Sequence, residues 1–274
     1  MHLGRIALLA CCLLAWVAWA GAAVAETLSI PGTGDSQAML RAMAPLFEAR
    51  HPGAVLDIPD SVGSSGGVKA VLDGDFELGR VARPLTDKER AAGLVRRVFA
   101  WSPVVFAANL PATAQVSLTF EQIVGVYDGS IRDYALLGGK PGKIYPVMRE
   151  RGDSCLSAIN QVVPGFGDIE TPVGKVYYTT PETVEALSAH PGALGYVPLS
   201  GIRGSGLKIL AVQGVEPTPD NVRREVYPLA VPLGLIHKGG PGPLARAFME
   251  FIDTPEAGRV MERFGCVPAA QERP

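Results

Sequence analysis

Strand-like and helix-like segments alternate along this chain, and the alternation is the feature that most restricts its fold. Strands separated by helices favour parallel pairing, because each helix returns the chain to the same end of the sheet. The sequence therefore predicts an α/β fold with mostly parallel sheets. The strand-like segments are residues 27–30, 55–58, 104–108, 144–148, 207–212 and 233–237.

Helix starts and buried helix faces are also well marked. Thr86 with Glu89, and Thr119 with Gln122, fit the capping-box pattern. Thr180 and Thr254 each precede a proline, which predicts that they are N-caps with proline at the first helical position. Apolar residues at helical spacing predict the core-facing sides: Met39, Ala42, Met43, Leu46 and Phe47, then Leu244, Ala247, Phe248, Phe251 and Ile252, then Ala257, Val260, Met261 and Phe264.

The first 25 residues have the pattern of a secretory signal peptide. Arg5 gives a short basic start, residues 6–19 form an apolar run, and a small-residue cleavage site ends at Ala25. The run is too short to span a membrane. We expect cleavage after Ala25 and a soluble exported chain, with lipidation at Cys11 as the alternative.

Cleavage would leave two cysteines, Cys155 and Cys266. Exported proteins can form disulfides, so one bridge is conceivable, and two buried unpaired thiols are the other interpretation. The sequence leaves both open.

Charge and composition exclude several classes of function. Loss of Arg5 leaves 24 basic residues against 27 acidic ones, without a basic stripe for nucleic acid. The four histidines lack metal-ligand spacing, and we expect neither a metal nor a cofactor. About 250 residues can bury a sizeable core, in one large domain or two lobes.

Residues 63–70 form a Gly/Ser turn that leads into a helical pattern. Glycine allows close backbone approach to a ligand, hydroxyls donate hydrogen bonds, and a helix N-terminus favours anions. The turn is interpreted as an oxyanion cradle or, alternatively, as a flexible loop.

Several segments together, in order, resemble the periplasmic phosphate-binding proteins, the type II solute-binding components of phosphate-type ABC importers. The resemblance covers nearly the whole chain after the signal peptide. The segments that carry it are residues 31–36, 63–70, 79–87, 191–197, 215–229 and 248–268.

The resemblance implies a two-lobed α/β flytrap with mixed, mostly parallel sheets and two crossover strands. Lobe 1 would take residues 26–105 plus 231–274, and lobe 2 residues 106–230. The lobes would close on an anion held between helix N-termini.

The resemblance also assigns ligand contacts. In lobe 1 they fall on Ser36, Gln37, Ser64, Ser65 and Gly66. Plain N-capping is the alternative role for Ser36 and Ser64. Arg83 and Arg151 are each interpreted either as a ligand or as a charge at the rim of the cleft that attracts an anion over a distance. Arg80 is interpreted as a solvated surface residue.

The chain departs from the family pattern at two places. The aspartate that normally accepts the proton of hydrogen phosphate is Ala82 here. The usual Arg-x-x-Gly-Ser-Gly-Thr motif runs from Arg149 to Cys155, with aspartate replacing its serine and cysteine its threonine. Arg149, Asp153, Ser154 and Cys155 are therefore the candidate ligands in lobe 2.

Asp153 has two possible roles. It could accept the proton of the anion, in place of the missing aspartate. Alternatively, it caps the helix that begins at Ser154 or pairs with Arg151, leaving Ser154 and Ser157 to supply hydroxyls. We favour the capping role, because aspartate is a leading N-cap residue.

The function expected from the resemblance is capture of inorganic phosphate or a similar oxyanion in the periplasm, for an ABC permease, by a monomer. Sulfate, tungstate or an organic phosphate is the alternative ligand, and sensing in trans the alternative role. An enzyme is not expected, because no histidine or lysine stands beside Ser64 in a recognisable triad arrangement.

Overall fold

The computed structural model describes residues 26–114 and 116–269, which form an α/β fold. The expected signal peptide, its cleavage site and Cys11 lie outside these residues. The strands are β1 (Glu26–Ser29), β2 (Ala54–Asp57), β3 (Gly79–Val81), β4 (Leu94–Ala108), β5 (Ser117–Leu118), β6 (Tyr145–Arg149), β7 (Lys175–Tyr177), β8 (Ala193–Pro198), β9 (Lys208–Val212), β10 (Ala230–Lys238) and β11 (Val267–Pro268).

Helices occupy most connections between these strands. The α-helices are α1 (Gln37–Arg50), α2 (Gly63–Leu72), α3 (Asp87–Ala91), α4 (Phe120–Asp128), α5 (Ser154–Val162), α6 (Thr180–Ala189), α7 (Leu199–Ile202), α8 (Pro219–Arg223), α9 (Pro243–Phe251) and α10 (Pro255–Arg263). Two 3₁₀ helices cover Gly34–Ser36 and Tyr134–Leu137. No helix of the described part is long and apolar enough to cross a membrane.

The long strand β4 holds the two lobes together. Its first part, through Pro103, pairs with β10, and from Val104 onward it pairs with β8. Proline has no N–H to donate, so Pro103 suits the point at which the hydrogen-bond partners change. The residue that precedes β10 is also hydrogen-bonded to β4 at this point, because the N–H of Val104 donates to the Leu229 carbonyl over 3.0 Å.

β1 and β2 form a separate parallel two-stranded sheet, and the other nine strands among the described residues form one mixed sheet. The sheets are mixed, as predicted, but the parallel share of the strand pairs is smaller than predicted. Of the nine strand pairs in the described part, five are antiparallel and four are parallel. Every antiparallel pair includes β4 or β10, the two longest strands. Alternation of strands and helices predicts the parallel pairs within a lobe, but it carries no information about these two strands. The exact lobe bounds stay a prediction.

The predicted helix faces pack in the core. Met39, Met43 and Phe47 of α1 are fully buried, and Phe47 meets the rings of Phe248 and Phe251 edge-on, at centroid distances of 5.3 and 5.6 Å. Burial of such side chains contributes about 1.5–3 kcal/mol each. These contacts fix α1, and hence the turn that precedes it, against the C-terminal helices.

The two remaining cysteines are both free and buried, which confirms the unpaired interpretation over the disulfide. Burial raises the pKa of Cys266 to about 12 and that of Cys155 above its ordinary value. Both thiols are therefore protonated at neutral pH.

Close backbone approach fixes the turn before α1. Gly32 has φ +142°, and a Cβ there would lie 2.1 Å from the carbonyl oxygen of Arg80. A Cβ at Gly67 would lie 2.9 Å from that oxygen and from the Cα of Gly32. The two Gly-containing turns and β3 therefore form one tightly packed unit.

We predict that Gly32→Ala lowers the free energy of unfolding by about 3 kcal/mol or more, because it combines strain with a backbone clash. Gly74 also has positive φ, +83°, but its Cβ would meet nothing within 4 Å. Gly74→Ala should therefore cost only about 1–2 kcal/mol. Urea denaturation measures both, and equal losses would show that the close approach to Arg80 does not constrain the turn.

Candidate functional site

The buried polar side chains of the described residues gather in one place. Burial of a polar group is costly unless it is hydrogen-bonded, so such a concentration needs a reason. Ten of the twelve are connected through the contacts described below or are chain neighbours. Ser102 joins them because its hydroxyl lies 3.0 Å from that of Ser200, and Arg80 joins them through the turn at Gly32. The twelve are Thr33, Asp35, Ser36, Gln37, Arg80, Ser102, Arg149, Asp153, Ser154, Thr180, Thr183 and Ser200.

The lobe 1 side is the turn that leads into α1. Asp35 and Ser36 are each only 1% exposed. Thr33 Oγ1 accepts a hydrogen bond from the Asp35 N–H, and Gln37 Nε2 donates to Asp60 Oδ1. Ser36 makes no side-chain capping bond, and within the described part its buried hydroxyl has no hydrogen-bond partner. Ser36 therefore occupies the N-cap position of α1, as the alternative expected, but its side chain does not cap the helix.

Arg149 is the buried cation of the site, at the end of β6. Its Nη1 donates to Thr180 Oγ1 over 3.2 Å and to Thr183 Oγ1 over 3.0 Å. Its Nη2 lies 2.7 Å from Asp153 Oδ2. Its Nε is buried without a partner among the described residues, so one donor of the fork is unused. Burial lowers the pKa of Arg149, but the carboxylates of Asp153 and Asp35 outweigh it, and the net shift is upward.

Asp153 caps helix α5, as we favoured from the sequence. Its Oδ1 accepts from the Leu156 N–H over 3.0 Å, while its Oδ2 holds Arg149. The predicted partner Arg151 is wrong, because Arg151 is exposed and the ion pair is made with Arg149. Burial raises the pKa of Asp153 to about 6, with Arg149 opposing the shift and Asp35 adding to it.

Thr180 is a site residue that the sequence analysis placed differently. The N-cap of α6 is Thr179, which forms a capping box with Glu182, so the prediction that Thr180 is the cap was wrong by one residue. The hydroxyl of Thr180, which does not cap the helix, is fully buried and donates to Asp35 Oδ1 over 2.5 Å. Ser154, the first residue of α5, donates to Asp35 Oδ2 over 2.8 Å.

Asp35 was missed by the sequence analysis. It lies within the segment 31–36 that carries the family resemblance, directly before the predicted ligand Ser36. The sequence did contain one signal for Asp35: an acidic residue within a glycine turn that the resemblance places at the anion site. Its bonding partners are 119 and 145 residues away in sequence, so no local pattern indicates them.

The Gly/Ser turn belongs to α2 from Gly63 onward and is therefore helical earlier than expected. Ser64 Oγ accepts from the Ala82 N–H over 3.1 Å, within the same lobe. Val62, not Ser64, is the N-cap of this helix, so plain N-capping by Ser64 is also wrong. Ser65 is exposed and Gly66 is half-buried.

The structure does not bring every candidate to the cluster. Arg83 forms a two-pronged ion pair with Glu89, with contacts of 2.9 and 2.8 Å, and the pKa of Glu89 falls to about 2 chiefly through this bond. Cys155 is buried on α5, one residue beyond Ser154. No group of His, Cys, Asp and Glu residues in the described part could hold a metal.

The interpretation of Arg80 as solvated surface is wrong. Arg80 is fully buried, and its Nη2 donates to the carbonyl oxygens of Pro59 and Gly32, over 2.9 and 3.4 Å. Burial lowers its pKa to about 10, so it remains charged at neutral pH. Arg80 therefore stabilises the turn before α1 by donating to the carbonyl oxygen of Gly32.

Comparison with known proteins places this chain in a superfamily. The model of a PBP superfamily domain matches residues 18–256, so the chain belongs to that superfamily. The phosphate-binding protein PstS of Bacillus subtilis is 27% identical over 229 residues, which cover 82% of this chain and 75% of that protein.

Several solved structures resemble the chain, and two of them illustrate the range of similarity. One is a candidate phosphate ABC transporter substrate-binding protein from Clostridium perfringens with bound phosphate, at TM-score 0.79 and 25% identity, covering 89% of this chain and 99% of that one. The other is an ABC-type phosphate transport receptor from Vibrio cholerae, at TM-score 0.65 and 20% identity, covering 88% and 99%. The second supports the fold alone.

We predict that Asp153 makes stability depend on pH. Its pKa is raised in the folded state, so the folded protein holds this proton more tightly than the unfolded chain. This contribution is present below about pH 4 and is lost as the pH rises to about 6. The unfolding free energy of wild type relative to Asp153→Asn should therefore rise on acidification from pH 7 to 4, by at most about 3 kcal/mol.

Glu89→Gln provides a control of opposite sign, since the pKa of Glu89 is depressed in the folded protein. Relative to that variant, wild type should lose stability as the pH falls from about 5 to 2. Urea denaturation across this range measures both differences. A flat difference between wild type and Asp153→Asn would show that Asp153 titrates as it does in the unfolded chain.

Proposed function

We propose that this protein is a solute-binding protein that captures an oxyanion for an ABC importer, with inorganic phosphate as the first candidate ligand. The observation that carries the proposal is the single cluster of buried polar side chains around Arg149, at the starts of α5 and α6. Helix N-termini and a planar guanidinium are suited to the oxygens of a tetrahedral anion.

The ligand set is also a proposal. We propose Arg149 Nε and Ser36 Oγ as ligand contacts, because both are buried donors without a partner among the described residues. The hydroxyls of Thr180 and Ser154, which lie at helix starts, complete the proposed set. Gln37, Ser64, Ser65, Gly66, Arg83, Asp153 and Cys155 remain candidates from the family resemblance. Asp153 would act through Arg149, whereas Arg83 would first have to leave Glu89.

Two relatives support phosphate as the ligand and an ABC transporter as the partner system. The PstS protein of Bacillus subtilis is named as phosphate-binding, and the Clostridium perfringens structure contains phosphate. By extension, we propose an exported, periplasmic monomer that delivers its anion to a permease. Binding without catalysis is part of the proposal, and the Ser64 hydroxyl, which contacts a backbone amide, fits it.

We predict that the chain from Glu26 onward binds phosphate in calorimetric titration, and that Arg149→Gln weakens this binding at least about ten-fold. A charged hydrogen bond contributes enough for a loss of this size. Arg151→Gln is the matched control, because Arg151 lies two residues away and is exposed. Equal losses in both variants would indicate general electrostatic attraction, and an unchanged Arg149→Gln would remove Arg149 from the ligand set.

Sulfate competition separates phosphate from the second ligand class. Ala82 stands where the family places the acceptor for the proton of hydrogen phosphate, which favours a different anion unless another carboxylate replaces it. Phosphate binding that resists excess sulfate would support a phosphate carrier. Sulfate that competes equally would assign this site to tetrahedral oxyanions in general.

A further inference from the structure

The carboxylate of Asp35 lies where anion donors converge. Both of its oxygens accept hydroxyl hydrogen bonds, Oδ1 from Thr180 and Oδ2 from Ser154. Its backbone oxygen accepts a third, from Ser200 Oγ over 2.6 Å. Arg149 donates to the same Thr180 hydroxyl, so the charge of the guanidinium reaches Asp35 through one intervening group. Asp35 therefore accepts hydrogen bonds from two hydroxyls of the proposed ligand set.

These bonds also join two parts of the chain that the family assigns to different lobes. Asp35 precedes α1, whereas Ser154, Thr180 and Ser200 stand at α5, α6 and α7. Next to Asp35, a Cβ on Gly34 would lie only 2.7 Å from Pro181 Cδ. The turn and the start of α6 are thus in direct contact, with no room for even a methyl group between them.

We propose that Asp35 is a built-in carboxylate ligand that clasps the two lobes together and competes with the solute oxyanion for the hydroxyls of Ser154 and Thr180. A free anion gains these donors only when Asp35 gives them up. Asp35 therefore determines the affinity of the site and selects for anions that bind strongly enough to displace it.

The charges around Arg149 support competition rather than joint binding. Arg149 contributes one positive charge, and Asp35 and Asp153 contribute two negative charges when both are ionised. A dianion added beside two carboxylates in a buried site is strongly repelled. Displacement of Asp35 toward solvent removes one of these repulsions. The competition rests on the proposed function, whereas the clasp does not.

Small-angle scattering in phosphate-free buffer tests the clasp without a ligand. Wild type should have the radius of gyration calculated from the structure, and Asp35→Asn, which keeps the shape but not the charge, should have a larger one. Asp87→Asn is the control, because Asp87 is an exposed acid on α3 outside the cluster. A wild-type radius larger than calculated, or equal radii for wild type and Asp35→Asn, would overturn the clasp. If Asp35→Asn fails to fold, as judged by circular dichroism, the wild-type radius alone decides.

Calorimetry tests the competition. Asp35→Asn should bind phosphate about ten-fold tighter than wild type or more, because the competing charged acceptor is removed. Asp87→Asn should match wild type. Weaker or abolished binding in Asp35→Asn would overturn the competition and make Asp35 the acceptor for the proton of the anion.

The two experiments separate failure of this inference from failure of the proposed function. If neither wild type nor Asp35→Asn binds phosphate or sulfate, the proposed oxyanion function fails, and the competition fails with it. The clasp still stands if Asp35→Asn expands in the scattering experiment.

Discussion

Burial of the Arg149 guanidinium is the constraint on which the rest of the site depends. A buried charge is tolerated only when it is paired and hydrogen-bonded. Arg149 is paired with Asp153 and hydrogen-bonded to Thr180 and Thr183, and these contacts fix the starts of α5 and α6 relative to the end of β6. Its backbone N–H also donates to the hydroxyl of Tyr196, a core residue whose ring packs against Phe106 and Tyr127. The position of the cation is therefore set by the core.

The sequence predicted the elements better than it predicted their assembly. The capping boxes at Thr86 and Thr119 form as expected, because both partners lie within four residues of each other. Arg149 and Ser154 were predicted as ligands because the family resemblance maps a motif, continuous in sequence, onto residues 149–155. Capping chemistry can be predicted without knowledge of the fold, whereas the ligand prediction depends on the resemblance.

The errors arise where distant segments decide the outcome. Thr179 and Thr180 could both cap α6, and the nearby Glu182 together with the distant Asp35 determines which hydroxyl caps and which faces the site. Arg80 is drawn into the interior by carbonyl oxygens of the neighbouring turns rather than by any pattern around it. Likewise, the antiparallel pairing of β4 follows from its role between the lobes and not from its own residues.

Two carboxylates, Asp35 and Asp153, lie beside Arg149, the buried cation of the site, so capture of an anion there would be linked to proton uptake. The pKa of Asp153 is raised to about 6, chiefly by burial, and the charge of Asp35 contributes to that rise. A negative ligand beside Arg149 would favour the protonated form of Asp153 in the same way, so capture would draw in a proton at neutral pH. Protonated Asp153 would release part of its hold on Arg149 and free the guanidinium for the ligand. If the proposed oxyanion function holds, Asp153 would thus provide a proton dependence of binding at a position where the resemblance expects serine.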